Sequence, residues 1–481
     1  MSRIKLVLVA LVVSLVWAAG ACGSLTEVNE NPNAPSDVPA ALLLPNAIRL
    51  AVEDVYGASQ YFSHTGIWPQ HIVQIQYPDE EEGQIRPARM ESYWTDFYAD
   101  ELMDIQTVLD KGVESGDANV EAVGRIWKTW IFHIVTDMWG DVPYSEAHGG
   151  AENTTPAYDR QADIYAGMLA DLTTAAGMLQ TPDASDFGGG DLIYGSNFEA
   201  WRLFANSLRM RLAMRLSEVD AGTARTEFAA AYAAGGFQSN ADNAMLNWPG
   251  SPYENPFYEN RVIQARDDHG ISATLLDTLV SLADPRLYLY AEPAATDGEY
   301  RGHHNGMTTI PLGTGLDDFS RIGDFWRFDG AATPTMIMSY AEVLFLQAEA
   351  AWRGWTAGAP ATLYSEAIRA NMIQYSVGPS DTEIDDYLAQ PVVAYNGTLE
   401  QILLQKWIAL YMNGPEAWSD SRRTDLPAMV AGPDLILSRI PVRLMYPDTE
   451  QSLNLANLNA ALAQQGMTGI DLVTPVWWDV N

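Results

Sequence analysis

Cysteine is almost absent from this chain: Cys22 is the only one in 481 residues. No intramolecular disulfide can form, so an exported body of this composition must hold together by ordinary packing. Lysine is scarce too, confined to Lys5, Lys111, Lys128 and Lys406, and all basic residues number 27 against 62 acidic ones, a net charge of −35. So acidic a surface repels phosphate backbones and anionic headgroups, which argues against nucleic acid as a partner. After the N-terminal segment no apolar run approaches the roughly 20 residues a bilayer-spanning helix needs. There is no Gly-x-Ser-x-Gly elbow, no His-Glu-x-x-His pair and no phosphate-cradling glycine loop. None of the seven histidines is spaced from a second histidine and a carboxylate as a metal site requires, so neither metal nor cofactor is expected.

What is present begins at the N-terminus. Arg3 and Lys5 precede an apolar run from Leu6 to Trp17, broken only by Ser14, and Ala18-Ala19-Gly20-Ala21 then lead into Cys22. Basic, apolar, small is the order of a secretory signal peptide. A cysteine directly after the small residues has the form of a bacterial lipoprotein signal, where the thiol is lipidated and the chain is cut before it. The other reading is an ordinary signal with a chance cysteine. The expected layout is a signal peptide over 1–21, a lipidated Cys22 with an extended Asn- and Pro-rich tether over 22–38, and a folded body over 39–481. The acidic residues are spread along the body as a solvated surface, and only Asp79-Glu80-Glu81-Glu82 form a run.

Helical spacing dominates that body. Apolar residues recur at helix period over Pro39–Tyr56 (with Pro45 implying a break), from Met90 to a close at Gly112, and over Val120–Met138, Tyr158–Leu179 and Asn197–Leu216. The period returns at Thr335–Trp355, Ala361–Tyr375 and Gly397–Met412. Pairs of such helices predict an all-α, tetratricopeptide-like solenoid. Two stretches, 61–89 and 235–333, are irregular, aromatic and rich in turn formers, and read as long loop insertions.

Six stretches in order resemble the SusD/RagB-like nutrient-binding outer-membrane lipoproteins. They are Cys22 with Asn29-Glu30-Asn31-Pro32-Asn33, Trp139 to Ala147, Met338 to Val343 with Gln347 to Ala350, Gln405 to Pro427, Arg443 to Pro447, and Thr474 to Asp479 with its Trp477-Trp478 pair. The resemblance implies a non-enzymatic body, anchored by lipid alone, that captures a glycan or peptide nutrient and passes it to a TonB-dependent transporter of SusC type. It also implies an outward-facing position. The acid-rich signal that often follows the cysteine in outward-facing members is replaced here by Gly23-Ser24-Leu25-Thr26-Glu27.

Sugars stack their C–H faces on aromatic rings, so the aromatics of the irregular segments are the candidate binding residues. These are Trp68 and Tyr77 in the first segment and Tyr253, Tyr258, Tyr300 and Trp326 in the second, with His303 and Asn305 as polar contacts. The two segments are expected to meet as one ligand face, with Trp68 and Trp326 as surface rings. Glu342 and Glu349 lie seven apart on one helix face and could be imagined as an acid–base pair, but structural pairing with arginine is the simpler reading. Arg422 and Arg423 are likewise read as ties between helices through carboxylates, and Trp477-Trp478 as packing for the terminus. A secreted glycoside hydrolase and a non-binding envelope scaffold are the alternatives.

Overall fold

A computed structural model describes residues 38–179, 186–307, 315–375 and 377–480. The signal peptide, Cys22 and all but the last residue of the tether lie outside the described residues. The body, Ala40 onward, is one compact unit. Among the described residues no helix is long and apolar enough to cross a membrane.

Fourteen described helices of eight residues or more build the body. The first set is α1 (Ala40–Tyr56), α2 (Pro87–Thr95), α3 (Leu102–Ser115), α4 (Ala118–Trp139), α5 (Gln161–Met178), α6 (Phe198–Arg215) and α7 (Ala221–Ala234). After the central insertion, which holds α8 (Ala273–Ser281), come α9 (Tyr340–Trp352), α10 (Pro360–Met372), α11 (Asp381–Leu388), α12 (Leu399–Ala409), α13 (Gly414–Thr424) and α14 (Leu455–Gln464). Consecutive helices pack in pairs, α3 on α4, α4 on α5, α5 on α6 and α6 on α7, and then α9 on both α10 and α12. This is the helical-pair solenoid expected from the periodicity.

Local chemistry sets the ends of these helices. Asp117, Asn197, Asp220, Ser339 and Thr398 each accept a backbone N–H from the first turn of the helix they precede. Pro45 sits inside α1 without ending it. A single missing N–H removes one ladder bond, and the buried face formed by Leu44, Ile48, Val52 and Val55 holds the helix through that loss. Gly112 does not close α3 either; a Cβ there would lie 2.4 Å from the backbone nitrogen of Glu121, so the glycine lets α3 and α4 approach closely. The closure is at Gly116, whose φ of 71° is the left-handed cap only glycine adopts freely.

Thr335 to Met338 is a strand, not the start of a helix. It pairs antiparallel with Ala244–Leu246, and α9 begins only after the Ser339 cap. Two further short antiparallel pairs occur, Ile72–Gln74 with His269–Ile271 and Ala291–Glu292 with Arg321–Ile322. The first of these joins the two irregular segments, in the register Ile72 to Ile271, Val73 to Gly270 and Gln74 to His269.

The core is aromatic and contains an ionic frame. Trp127 and Trp130 of α4 stack at 4.4 Å in full burial. Behind them Arg211 grips Glu342 through two bonds of 2.7 Å, and Arg423 grips Glu349 through two of 2.8 Å. Arg215 reaches Glu416 at 2.5 Å and Asp137 at 3.2 Å, and Lys406 pairs with Asp420 at 3.0 Å. All are buried. The bidentate geometry satisfies guanidinium and carboxylate together, which is what makes such burial tolerable. Glu342, Glu349 and Arg423 therefore link α6, α9 and α13 as the structural reading requires.

Arg422 departs from the expected role. Among the described residues it makes no carboxylate contact; its N–H groups donate to the carbonyls of Trp418, Asp137 and Val442 and to the Ser419 hydroxyl. Its guanidinium lies 3.7 Å over the Trp418 ring and 4.7 Å over Trp478. Burial without an ion pair holds its pKa down, at about 9. Trp478 is fully buried and donates to Asp137 at 2.8 Å, so it does fasten the C-terminal segment to α4.

Candidate functional site

The strand pair between the irregular segments forms one wall of an open cleft of about 610 Å³. Two π-helical turns flank it, Tyr61–Thr65 and Glu259–Ile263, and such wide turns recur where helices are reshaped around binding sites. The first brings Phe62 and Ser63 to the cleft and the second brings Glu259 and Asn260. The end of α1 adds Glu53 and Asp54.

Donors and acceptors are dense and mostly paired. Arg86 bonds Asp79 at 2.8 Å and approaches Glu80 at 3.6 Å, and Arg89 lies 3.8 Å from Glu80 and also donates to the Ser63 hydroxyl. Arg266 donates to Asp268 at 3.0 Å through Nε. The amides of Gln74, Gln76, Asn260 and Gln264 add both donors and acceptors. His269 stacks on Phe62 at 4.1 Å, and burial holds its pKa down at about 4, so it is neutral at ordinary pH. Burial also raises the carboxyls of Glu53 and Asp54.

Tyr77 and Tyr253, both of the irregular segments, stand out to solvent. Tyr77, 62 % exposed, lines the cleft with a φ of 55°, a conformation few residues with bulky side chains adopt and one that gathers at ligand clamps. The Arg266 guanidinium lies 6.0 Å from its ring centre. Tyr253, 51 % exposed, carries Arg49 at 5.2 Å over its ring, and Arg49 pairs at 2.5 Å with the cleft residue Glu53. Each ring is thus oriented by a cation on its face. An exposed ring beside paired polar groups suits a ligand with apolar C–H faces and many hydroxyl or amide groups.

The candidate residues read from sequence do not converge on this cleft. Tyr77 lines it. Tyr258 is half-buried beside it, between the lining residues Pro256 and Glu259. Tyr300 lines a separate cleft of about 680 Å³ with the exposed Tyr288. Trp68 is only 3 % exposed and faces a third cavity with Trp418. Trp326 is 2 % exposed, edge-on to Tyr411 at 5.3 Å and Tyr290 at 5.9 Å, so it is core and not a surface platform. His303 is buried edge-on against Phe319 at 4.8 Å. Asn305 spends its amide on the carbonyls of Ile67 and Ile72 and accepts from Ser272, bracing the loop from within.

The acidic run is also structural in part. Glu80, Glu81 and Glu82 are buried, and Glu81 accepts the backbone N–H groups of Gln74 and Gly306, both at 2.7 Å. Burial outweighs those bonds and pushes its pKa up to about 8. The arginines and amides that line the cleft escaped sequence reading because single polar residues in a loop carry no periodic signal. The run at 79–82, interrupting an aromatic segment, was the available clue. Among the described residues no group of three or more His, Cys, Asp or Glu is arranged to hold a metal.

A SusD-like family model, described as starch-binding and associating with the outer membrane, matches residues 32–447. Among solved structures, a chitin-binding protein is 30 % identical, with a TM-score of 0.83 over 92 % of this chain and 100 % of its own. A Bacteroidetes SusD-like protein is 25 % identical, with a TM-score of 0.81 over 92 % and 100 %. A chitin-binding SusD homologue from Flavobacterium johnsoniae is 26 % identical, with a TM-score of 0.80 over 92 % and 98 %. No match was found among curated proteins.

Proposed function

The chain belongs to the SusD-like family, and from that premise we propose that it captures a glycan in the cleft between its two irregular segments and delivers it to a TonB-dependent transporter. The observation that carries this reading is the cleft itself, lined by the exposed Tyr77 beside dense, paired polar groups. The sugar stacks on Tyr77, its hydroxyls replace water on Arg86, Arg89 and Arg266, and the side-chain amides of Gln74, Asn260 and Gln264 hold amide or hydroxyl substituents. Two of the similar proteins are chitin-binding, so N-acetylglucosamine oligomers are the first ligands to try. The role is binding, with release of an unchanged oligomer.

Cys22 anchors the body to the outer membrane through lipid, facing the cell exterior. The basic, apolar and small order before it supports that anchor. Calorimetric titration of the body lacking residues 1–22 with N-acetylglucosamine and maltose oligomers tests the binding role. Saturable binding with oligomer length unchanged after overnight incubation is expected; shortened products would favour the hydrolase. Cys22→Ser is expected to leave the outer-membrane fraction after a salt wash, and retention there would defeat the anchor.

A further inference from the structure

The cleft that Tyr300 lines, of about 680 Å³, falls inside the roughly 300–1,000 Å³ span of small-molecule pockets. Its walls are the end of α8, the short helix Leu287–Tyr290, the loop at Glu299 and Tyr300, and α11. The floor is fixed. Asp284 and Tyr387 are buried there, and the fully buried Arg286 donates to Asp284 at 2.6 and 2.9 Å, to Gln405 of α12 at 2.7 Å and to Asn371 of α10 at 2.9 Å. Gln405 in turn donates to the Tyr387 hydroxyl at 2.8 Å. The rim is open. Tyr288 is 72 % exposed, more than Tyr77, and the half-buried Tyr300 meets it edge to face, ring centres 6.2 Å apart and planes at 70°. Tyr77 and Tyr253 carry Arg266 and Arg49 over their rings, whereas Tyr288 and Tyr300 carry no arginine or lysine among the described residues.

Charge separates the two clefts further. Arg86, Arg89 and Arg266 line the first; among the described residues no lysine, arginine or histidine lines the second. Its exposed charges are the carboxylates of Glu299, Glu383 and Asp386. Glu383 is committed to the start of α11, accepting the Ser380 N–H at 2.8 Å and its hydroxyl at 2.7 Å. Glu299 and Asp386 form no ion pair among the described residues, because Arg301 pairs with Asp297 and Arg369 with Asp385. Carboxylates alone would be one more stretch of solvated surface on a chain of net charge −35. What singles this cleft out is the uncovered ring pair. Aromatic faces beside unpaired carboxylates, within a cleft of small-molecule size, are the surroundings that attract a protonated amine.

We propose that this cleft binds a cationic amino sugar, a glucosamine unit, with its C–H face stacked on Tyr288 against Tyr300 and its ammonium held by Glu299 and Asp386. The inference rests on the glycan-capture reading and deepens it. Glucosamine is N-acetylglucosamine without the acetyl group, so the arginine-lined cleft takes the neutral units of a partly deacetylated chain and this cleft the charged ones. Tyr300 thereby keeps a binding role, at a different cleft from Tyr77.

The test is calorimetric titration of the body lacking residues 1–22 at about pH 6, where a sugar amine is protonated. The probes are the glucosamine tetramer, the N-acetylglucosamine tetramer and, as a charge control, a lysine pentapeptide. The variants are Tyr288→Ala, Asp386→Asn and Glu299→Gln, all at exposed side chains whose loss spares the core, with Tyr77→Ala for the first cleft. Affinity for the glucosamine tetramer is expected to fall about 10-fold in Tyr288→Ala. It should fall about 3-fold in each carboxylate variant, with a weaker dependence on salt. The N-acetylated tetramer should follow Tyr77→Ala instead. Losses confined to the carboxylate variants would reduce the cleft to unspecific acidic attraction and overturn the proposal. A lysine peptide that binds as tightly as the sugar, with the same losses, would overturn it in favour of a peptide amine. A glucosamine tetramer that fails to bind, or that follows Tyr77→Ala alone, would overturn it and leave the first cleft to stand on the N-acetylated probe. Glucosamine binding that follows Tyr288→Ala, with no binding of N-acetylglucosamine or maltose oligomers, would uphold this cleft and defeat the first.

Discussion

The ionic frame and the open cleft use the same chemistry, arginine against carboxylate, to opposite ends. In the frame, Arg423 and Glu349 are fully buried and meet through two bonds of 2.8 Å, with the cation on α13 and the acid on α9. Neither partner can exchange its contact for water. In the cleft, Arg86 and Asp79 are both close to half exposed, and Arg266 is 51 % exposed over Asp268. Those pairs contribute little to stability in water, and a ligand hydroxyl can replace either half. Burial, not residue type, separates the part that holds the fold from the part that exchanges partners.

Removing a frame cation tests this most severely. Arg423→Ala leaves Glu349 and Asp420 short of positive charge in a dry interior, and is expected to cost about 3–5 kcal/mol in chemical denaturation. A loss under about 1 kcal/mol would mean that water reaches the frame and that the contrast fails. Trp326→Ala carries a similar penalty, about 3–5 kcal/mol, because a 2 % exposed ring leaves a cavity. Its oligosaccharide affinity, measured below the unfolding transition, should equal the parent's.

On the cleft side, Tyr77→Ala inverts that pattern. With 62 % of the ring exposed, the melting temperature should hold, while glycan binding weakens by about 1–3 kcal/mol. Arg86→Ala should likewise leave stability within about 1 kcal/mol of the parent, since its pair with Asp79 is a surface one. A loss as large as that of Arg423→Ala would erase the distinction.

The smallest effect concerns protons. Burial holds His71 neutral down to about pH 3, while an unfolded histidine titrates near 6.5. Between those values the unfolded chain binds more protons, so stability falls as pH drops through that window and levels off below it. His71→Gln can keep the bond to the Trp407 carbonyl, which is 2.9 Å away. Acid unfolding of that variant should take up about one proton fewer, read as a shallower slope of denaturation free energy against pH. An unchanged slope would show that His71 is hydrated in the folded state.

The helices were legible because each needs only local agreement. Apolar residues at helix period recur within the length of a single helix, as over Val120–Met138 and Asn197–Leu216. Where the reading slipped, a distant partner had intervened. Thr335–Met338 has apolar residues that suit a helix, but Ala244–Leu246 supplies a strand to pair with. Gly112 looks like a stop until the backbone of Glu121 arrives against it.

The site was legible only as two segments. That 61–89 and 235–333 interrupt the helices is a property of composition, and their meeting is realised in the pairing of Ile72–Gln74 with His269–Ile271. Which of their rings face solvent is not. Trp68 and Trp326 sit among turn formers, as an exposed ring would, yet the Trp418 and Tyr411 rings that cover them lie far along the chain. The sequence by itself therefore determined the all-α solenoid, the family and the two places where it is interrupted, because these depend on spacing and order along the chain. Exposure, ion pairing and the walls of each cleft were decided only by the tertiary structure, because each depends on which distant side chain removes water from a given atom.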